Sequence, residues 1–521
     1  MWKPASDLWA TLAVWSILLL GAFDRAHLLS VFGLNYIGID DALIQQVAID
    51  YGHGIFREPF LYGQNYNPML EALLAAPFIR LGAAPWVALP LVTSLLALLP
   101  FWSFSLWCLR KKHASSAIAV ALVPLLLPTE WGLITSLPRG FVHGLVWLSA
   151  LPWLQGIRRP FLKHFLSALA LVCALLCNPN ASPLVAGIGL YLMLTNARSW
   201  WFWITGGVAT SLGVVAYLSA QAFFHELPPV HPLTEADVHW SIDLLQQALQ
   251  APAVHFLNMT PLNVPIGWVA LFVLLSTIAL WRQGDRASAG ILFAAAIMVF
   301  ALGVLKVHQG CESVFFPRSR MFLALPLLLA IIAALLLKGS TPPKWTIAPV
   351  LLLSVLLATA HNAALKGTIG QEMAMQGCGY VREEPIEDVA LRCLLIKDVA
   401  LREHADVVVP IRWPGIDVDH RAHFQAHFTC YACEQLIKGF PSTFGAGYDR
   451  RYWVRNTHEF NAQGRVLFVG GDPNVWRNAL LNGLVVDDRS TWGIQLHLAQ
   501  CDTVGIVDLI TRMGVDDDLG R

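Results

Sequence analysis

Charge is what this chain lacks most: Asp, Glu, Lys and Arg make up 13% of its 521 residues, about half the share of an ordinary soluble domain. Hydrophobic residues fill the gap at 56%, with 20 Trp and 26 Phe, and mean hydropathy is +0.55. A chain this poor in charge cannot clothe a water-soluble globule of its length, so it belongs in a bilayer. Basic and acidic residues balance at 35 each, which excludes a polyanion such as nucleic acid as partner. Internal repeats and low-complexity segments are absent. The opening "MWKPASDLWATLAVWSILLLGAF" has no small-residue cleavage site, so it is a retained first span rather than a signal peptide.

A membrane helix needs about 20 mostly apolar residues. About eleven windows fit, at 8–29, 84–109, 115–130, 141–157, 164–179, 181–197, 200–222, 263–282, 288–306, 319–338 and 345–361. Leu70 to Leu81 is apolar but too short to cross, and reads as an interfacial or re-entrant helix. Every second loop is basic: Lys3; Arg110, Lys111 and Lys112; Arg158, Arg159 and Lys163; Arg198; Arg282 and Arg286; Lys338 and Lys344. By the positive-inside rule the N-terminus is cytoplasmic, and an odd number of spans puts the C-terminus outside.

Composition changes near His361. Beyond it the chain has frequent charges and short β-rich runs, "DVVVPIRW", "RVLFVGG", "LVVDD" and "IQLHLAQC", alternating with helical stretches such as Glu384 to Glu403. The expected fold is therefore an α-helical polytopic membrane protein over residues 1–361, with a first outer loop at 30–83, followed by an extracytoplasmic α/β domain over 362–521. The tail "DDDLGR" reads as a frayed end. Cys108, Cys173 and Cys177 fall in spans and read as buried thiols. Cys311, Cys378, Cys393, Cys430, Cys433 and Cys501 fall on the outer side, where disulfides form. "CYAC" at 430–433 suits either a redox pair or structural disulfides. No following helix pattern or neighbouring His supports the redox role, so structural pairing, of unassigned partners, is expected.

Chemistry gathers in the first outer loop, "YIGIDDALIQQVAIDYGHGIFREPFLYGQNYNPMLEALLAAP". After the adjacent Asp40 and Asp41, the residues Leu43, Ile44, Val47, Ala48 and Tyr51 form one face of a helix, with Gln45, Gln46 and Asp50 opposite and Gly52 and Gly54 ending it. Such a helix would rest on the membrane surface with the acidic pair at its N-terminus. Helix capping accounts for one aspartate. A second adjacent carboxylate adds repulsion and points to function. Tyr62, Gln64, Asn65 and Tyr66, with His53 ahead of them, either line a sugar pocket or pack the loop on the membrane. Arg139, Lys306, Arg318 and Arg320 lie at outer span edges against the topological bias, where a lipid phosphate or ordinary headgroups would meet them.

A carboxylate base and fixed cations together describe one reaction: a sugar displaced from a polyprenyl phosphate by an acceptor hydroxyl or amine, with inversion at the anomeric carbon. No glycine-rich phosphate loop is present, which argues against a nucleotide-sugar donor. The acidic pair followed by Ala, the helix ending in Gly, "FLYGQNYNPMLEALLAAPFIRLGA" and "RSRMFLALPLLLAII" resemble the polytopic GT-C superfamily of glycosyltransferases. The nearest branch is the bacterial relatives of protein O-mannosyltransferases and lipid A aminoarabinose transferases. The resemblance covers roughly residues 8–361. It implies Asp40 as base with Asp41 beside it, a lipid phosphate on Arg318 and Arg320, and a bacterial inner membrane. It requires no cofactor, although some members hold a divalent ion near the first loop, where this chain offers His53, Glu58, His225, His231 and His239 without ligand spacing. The chain departs from the family at "SLPRGFVHG", where Arg139 stands near the place of another acidic residue and Glu130 lies only close by.

Two rival classes remain. A transporter or flippase of an amphiphile would explain the spans, but paired Gly/Pro-broken helices and charges at mid-membrane depth are missing. An O-antigen-type polymerase or ligase would place its key residues in a late outer loop such as 223–262.

Overall fold

The computed structural model describes residues 5–226, 239–375, 383–411, 432–445, 451, 464–470, 476–477, 479, 485–491 and 494–501. Among them, six helices are long and apolar enough to cross a membrane: Leu8–Gly33, Pro85–Arg110, Pro160–Cys177, Trp200–Phe224, Arg318–Leu336 and Lys344–Ala374. Shorter apolar helices, Ala114–Leu126, Ser182–Asn196, Ile266–Arg282 and Ala287–Ala301, complete the bundle. The protein is thus a polytopic helical membrane protein with a C-terminal sheet-bearing region.

Each expected window contains helix, but two break early. Leu127, ahead of Pro128, is extended at ψ 150° and stops the helix at Leu126, because a residue before proline avoids the helical region. The window 141–157 splits into His143–Leu148 and Leu151–Leu154, the second opening around Pro152. The last span runs through 361 to Ala374, so the compositional change falls inside a helix. Where Ser182–Asn196 crosses Ala287–Ala301, Gly187 faces Gly290 so closely that an added Cβ would meet the Gly290 carbonyl oxygen at 2.5 Å. Small residues let membrane helices approach where no water drives them together.

The first loop forms the expected helices, Ile39–Gly52 and Leu70–Arg80. The apolar face of the first is buried as its periodicity predicts. Its polar face is buried too: Gln45 and Asp50 are 2% and 5% exposed. The helix does not lie open on a membrane surface, because the C-terminal domain covers it. Ala432, Cys433, Val389 and Cys393 join Leu43, Ile44, Val47 and Ala48 in one apolar core, and Gln435 Nε2 donates to the Ala42 carbonyl at 2.9 Å.

Short strands make a second joint. β1 (Tyr36–Gly38) pairs antiparallel with β2 (Glu383–Pro385), with Gly38 opposite Glu383. Beyond β2, the helix Ile386–Arg402 packs against a five-stranded sheet. Its strands are β3 (Val407–Ile411), β4 (Ser442–Thr443), β5 (Gly464–Gly470), β6 (Val486–Asp488) and β7 (Leu496–Cys501), in the order β4-β3-β5-β7-β6. β3 is parallel to β4 and β5, whereas β7 is antiparallel to β5 and β6. The tail "DDDLGR" lies outside the described residues.

Cys393 and Cys433 form a disulfide across 40 residues of chain, so Cys433 is not half of a vicinal redox pair. Cys430 lies outside the described residues, and Cys311 is also disulfide-bonded. Cys108, Cys173 and Cys177 are free. Closing a loop of that length removes unfolded-state entropy worth about 4 kcal/mol. Cys393→Ala combined with Cys433→Ala should therefore speed proteolysis of the C-terminal domain and lower its melting midpoint, with the membrane helices unchanged by circular dichroism.

Candidate active site

Gly38 ends β1 and caps the helix that carries the acidic pair. Its N–H donates to Asp41 Oδ2 at 2.9 Å, closing the first turn. Capping thus falls to Asp41, which is 3% exposed. Asp40 is half-buried one residue earlier. Among the described residues, neither of its carboxylate oxygens takes a hydrogen bond or an ion pair.

Arg139 stands over the pair. Its Nη2 donates to Glu383 Oε1 at 2.5 Å, Nη1 donates to the Phe315 carbonyl, and Nε lies 3.7 Å from Asp41 Oδ1. Burial works against its charge, but the carboxylates of Glu383, Asp41 and Asp40 more than offset that and hold its pKa above the ordinary arginine value. Burial also pushes Asp41 up, opposed by Arg139. Glu383 rises well above the usual carboxylate range, first through burial and then through the charge of Asp41.

The loop bearing Arg139 is fixed from below. Gly140 adopts a positive φ of 73°, and its N–H donates to Glu71 Oε1 at 2.7 Å. The other oxygen of Glu71 accepts from Thr93 Oγ1 at 2.7 Å. His143 Nδ1 sits 3.0 Å from the Pro68 carbonyl. Asn178 Nδ2 donates to the Gly140 carbonyl at 2.8 Å, and Asn180 Nδ2 to that of Phe141. The "CNPNASP" turn at 177–183 therefore holds the Arg139 loop.

The late basic residues sit on the far side of segment 309–317. Arg318 Nε donates to the Gly310 carbonyl at 3.0 Å. Arg320 Nη1 donates to Gln309 and Pro317 carbonyls at 2.8 and 2.7 Å, and its guanidinium lies 3.9 Å from the Phe316 ring centroid. Phe315 of the same segment receives Arg139, so one loop joins both clusters. His255 neighbours Arg318 and packs edge-on to His308, ring centroids 4.9 Å apart. Burial, then His308 and Arg318, lower its pKa to about 4, so it is neutral beside the arginine.

The expected pocket residues separate. Lys306 Nζ stands 5.4 Å over the Tyr66 ring, and the Asn65 carbonyl accepts from Gln221 Nε2 at 2.8 Å. Gln64 Oε1 is buried without a partner. Tyr62 is wholly buried and donates to Asp50 at 2.7 Å, which makes it part of the loop's packing. His53 is exposed at the opposite end of the helix from Asp40, about 20 Å away along its axis. Glu58 is spent on Gly63, His231 lies outside the described residues, and no group of three or more His, Cys, Asp or Glu among the described residues is arranged to hold a metal.

Sequence reasoning missed Glu383, because nothing in "VREEPIED" announces which carboxylate will reach the first loop. It also missed a cavity lined by Asp24, Arg25, Thr129, Trp131, His361 and Asn362. There Arg25 Nη1 donates to Gly132 and Thr135 at 2.7 and 3.0 Å, and His361 Nδ1 lies 3.3 Å from Asp24. The signal was present: two adjacent charges inside the first span.

Comparison with known proteins gives little. No family model and no curated protein sequence matches the chain. The crystal structure of ArnT from Cupriavidus metallidurans in the apo state is similar at 14% identity, with a TM-score of 0.46, over 95% of this chain and 98% of that one.

Glu58 offers a clean test of the loop. It is 4% exposed, its Oε2 accepts the Gly63 N–H at 3.1 Å, and burial, opposed by that bond, raises its pKa from 4.5 to about 8. The folded state therefore binds the proton more tightly than the unfolded chain. Stability is undiminished below pH 4.5 and drains away as pH rises from there to about 8. Glu58→Gln should flatten that dependence, read as melting midpoints of both proteins at pH 5 and pH 9. Parallel curves would show that Glu58 is not held neutral.

Proposed function

We propose that the protein is an inverting glycosyltransferase that moves a sugar from a polyprenyl-phosphate donor to a lipid, glycan or protein acceptor, with Asp40 as the base. The observation that carries this reading is the division within the acidic pair. Asp41 is buried, capped and paired, whereas Asp40 is half-open and has both oxygens unengaged among the described residues. A carboxylate left unpaired beside a buried guanidinium is positioned to take a proton.

In the reaction Asp40 accepts the proton of the acceptor hydroxyl or amine as that atom bonds to the anomeric carbon. The bond from that carbon to the phosphate oxygen breaks, and the phosphate leaves with the electron pair. Fixed cations lower the cost of the departing negative charge. Lys306, Arg318 and Arg320 serve that role, Arg318 contributing guanidinium nitrogens beyond the one bonded to Gly310. Lys306 over Tyr66 brings a charge to the sugar side. The site faces the extracytoplasmic side, with the N-terminus cytoplasmic and the C-terminal domain periplasmic, as in a bacterial inner membrane. Membrane lipids surround the bundle.

A transporter of an amphiphile is the second reading, and the polar cavity at Asp24, Arg25 and His361 favours it. The two readings differ in whether a bond breaks. Asp40→Asn should lower turnover by about 10²–10⁴-fold, the usual worth of a general base, in membranes supplied with a polyprenyl-phosphate-linked sugar, while inserting and folding normally. Arg318→Ala should raise the donor KM more than it lowers kcat. Full transfer by the Asp40 variant would remove it as the base, and donor movement without cleavage would favour transport.

A further inference from the structure

Glu383 comes from the C-terminal domain, yet it lies in the middle of the first-loop site. β2 sets it opposite Gly38, so close that a Cβ on Gly38 would meet Glu383 Oε1 at 2.4 Å. A side chain at position 38 would push the carboxyl aside. That oxygen is taken by Arg139 at 2.5 Å, and Asp41 Oδ2 is taken by the Gly38 N–H. The two remaining oxygens, Glu383 Oε2 and Asp41 Oδ1, are buried and receive no donor from any other residue. Both carboxyls lie against the same guanidinium, Glu383 Oε1 at 2.5 Å from Arg139 Nη2 and Asp41 Oδ1 at 3.7 Å from its Nε. Two buried carboxyls that each keep a partnerless oxygen beside one guanidinium are relieved when one of them carries a proton and can donate.

We propose that Glu383 is a positioning residue for Asp40, holding Arg139 and Asp41 in place and sharing one proton with Asp41, so that Asp40 is the reactive carboxylate. The role rests on the reading of Asp40 as the base. Charge supports it. Asp40 and Asp41 face Glu383 from the helix and Arg139 from its loop; segment 309–317 offers only the Phe315 carbonyl. Glu384 on the same strand is occupied by Arg392. Without the shared proton, Asp40, Asp41 and Glu383 would oppose a single guanidinium out of reach of water, which like-charge repulsion and desolvation disfavour. With it, the cluster carries one net negative charge, and Asp40 is where that charge meets the open side. The burial that raises both Asp41 and Glu383 acts in the same direction. When the proton leaves at alkaline pH, Asp41 and Glu383 repel each other across the shared guanidinium, the site is displaced and turnover falls.

The test uses full-length protein in lipid nanodiscs with a polyprenyl-phosphate-linked sugar, comparing Glu383→Ala, Glu383→Gln and Asp40→Asn. Glu383→Ala should lower kcat by about a hundredfold, as a misplaced reacting group does, with a much smaller change in donor KM. Glu383→Gln, which keeps the shape but cannot ionise, should recover most of that loss and lack the alkaline limb of the wild-type pH profile. The infrared spectrum gives a readout that needs no turnover. In difference spectra against Glu383→Gln, which cancel the band of neutral Glu58, a carboxylic-acid C=O band should appear at neutral pH for wild type and for Asp40→Asn. Wild-type turnover in Glu383→Ala, identical pH profiles for wild type and Glu383→Gln, or no such band would each overturn the proposal. If the wild type transfers no sugar from any lipid-linked donor, the transferase reading fails instead, and the band alone decides whether the proton is shared.

Discussion

A guanidinium sealed away from water is tolerable only when its charge is balanced close by, because losing its hydration costs several kcal/mol. Arg139 meets that condition with groups from three parts of the chain: Asp41 on the first-loop helix, the Phe315 carbonyl, and Glu383 at the start of the C-terminal domain. None of these segments can leave without stranding the charge. The rest of the site follows from this constraint. Glu71, Thr93, His143, Asn178 and Asn180 fix the loop that presents Arg139, and the pairing of β1 with β2 brings up the second carboxylate.

The same constraint explains how two neighbouring aspartates do different work. Asp41 faces inward, where a cap and an ion pair use it up. Asp40 sits one residue earlier on the helix, about 100° around at 3.6 residues per turn, and keeps its oxygens. The C-terminal domain is then part of the site, since Gln435 bonds the Ala42 carbonyl and the core around Cys433 packs on the apolar face of the first-loop helix.

Much of this was legible in the sequence. The apolar windows found their helices, the run Leu43 to Ala48 found its buried face, and the strands Val407–Ile411, Gly464–Gly470 and Leu496–Cys501 fell within the β-rich runs. Those features are local, and periodicity reports local structure. What stayed hidden was long-range. The three-residue strand Tyr36–Gly38 has too little pattern to announce a partner at Glu383–Pro385. Asp50 looked solvent-facing because helical periodicity cannot reveal that Arg57 and Tyr62 fold back onto it. Arg139 was noticed as a cation out of place and assigned to a lipid phosphate, whereas its guanidinium is spent on protein groups. Arg318 and Arg320 are anchored by bonds to backbone carbonyls of their own loop, a geometry that sequence spacing does not reveal.

Hydrogen–deuterium exchange on Arg139→Met, a side chain of similar length without charge, tests most directly whether one buried cation couples three distant segments. Residues 36–41, 309–317 and 383–386 should lose protection together, while the Ser182–Asn196 and Ala287–Ala301 helices stay unchanged. Exchange that rises only beside position 139, with 309–317 and 383–386 as protected as before, would show that the site does not depend on that guanidinium.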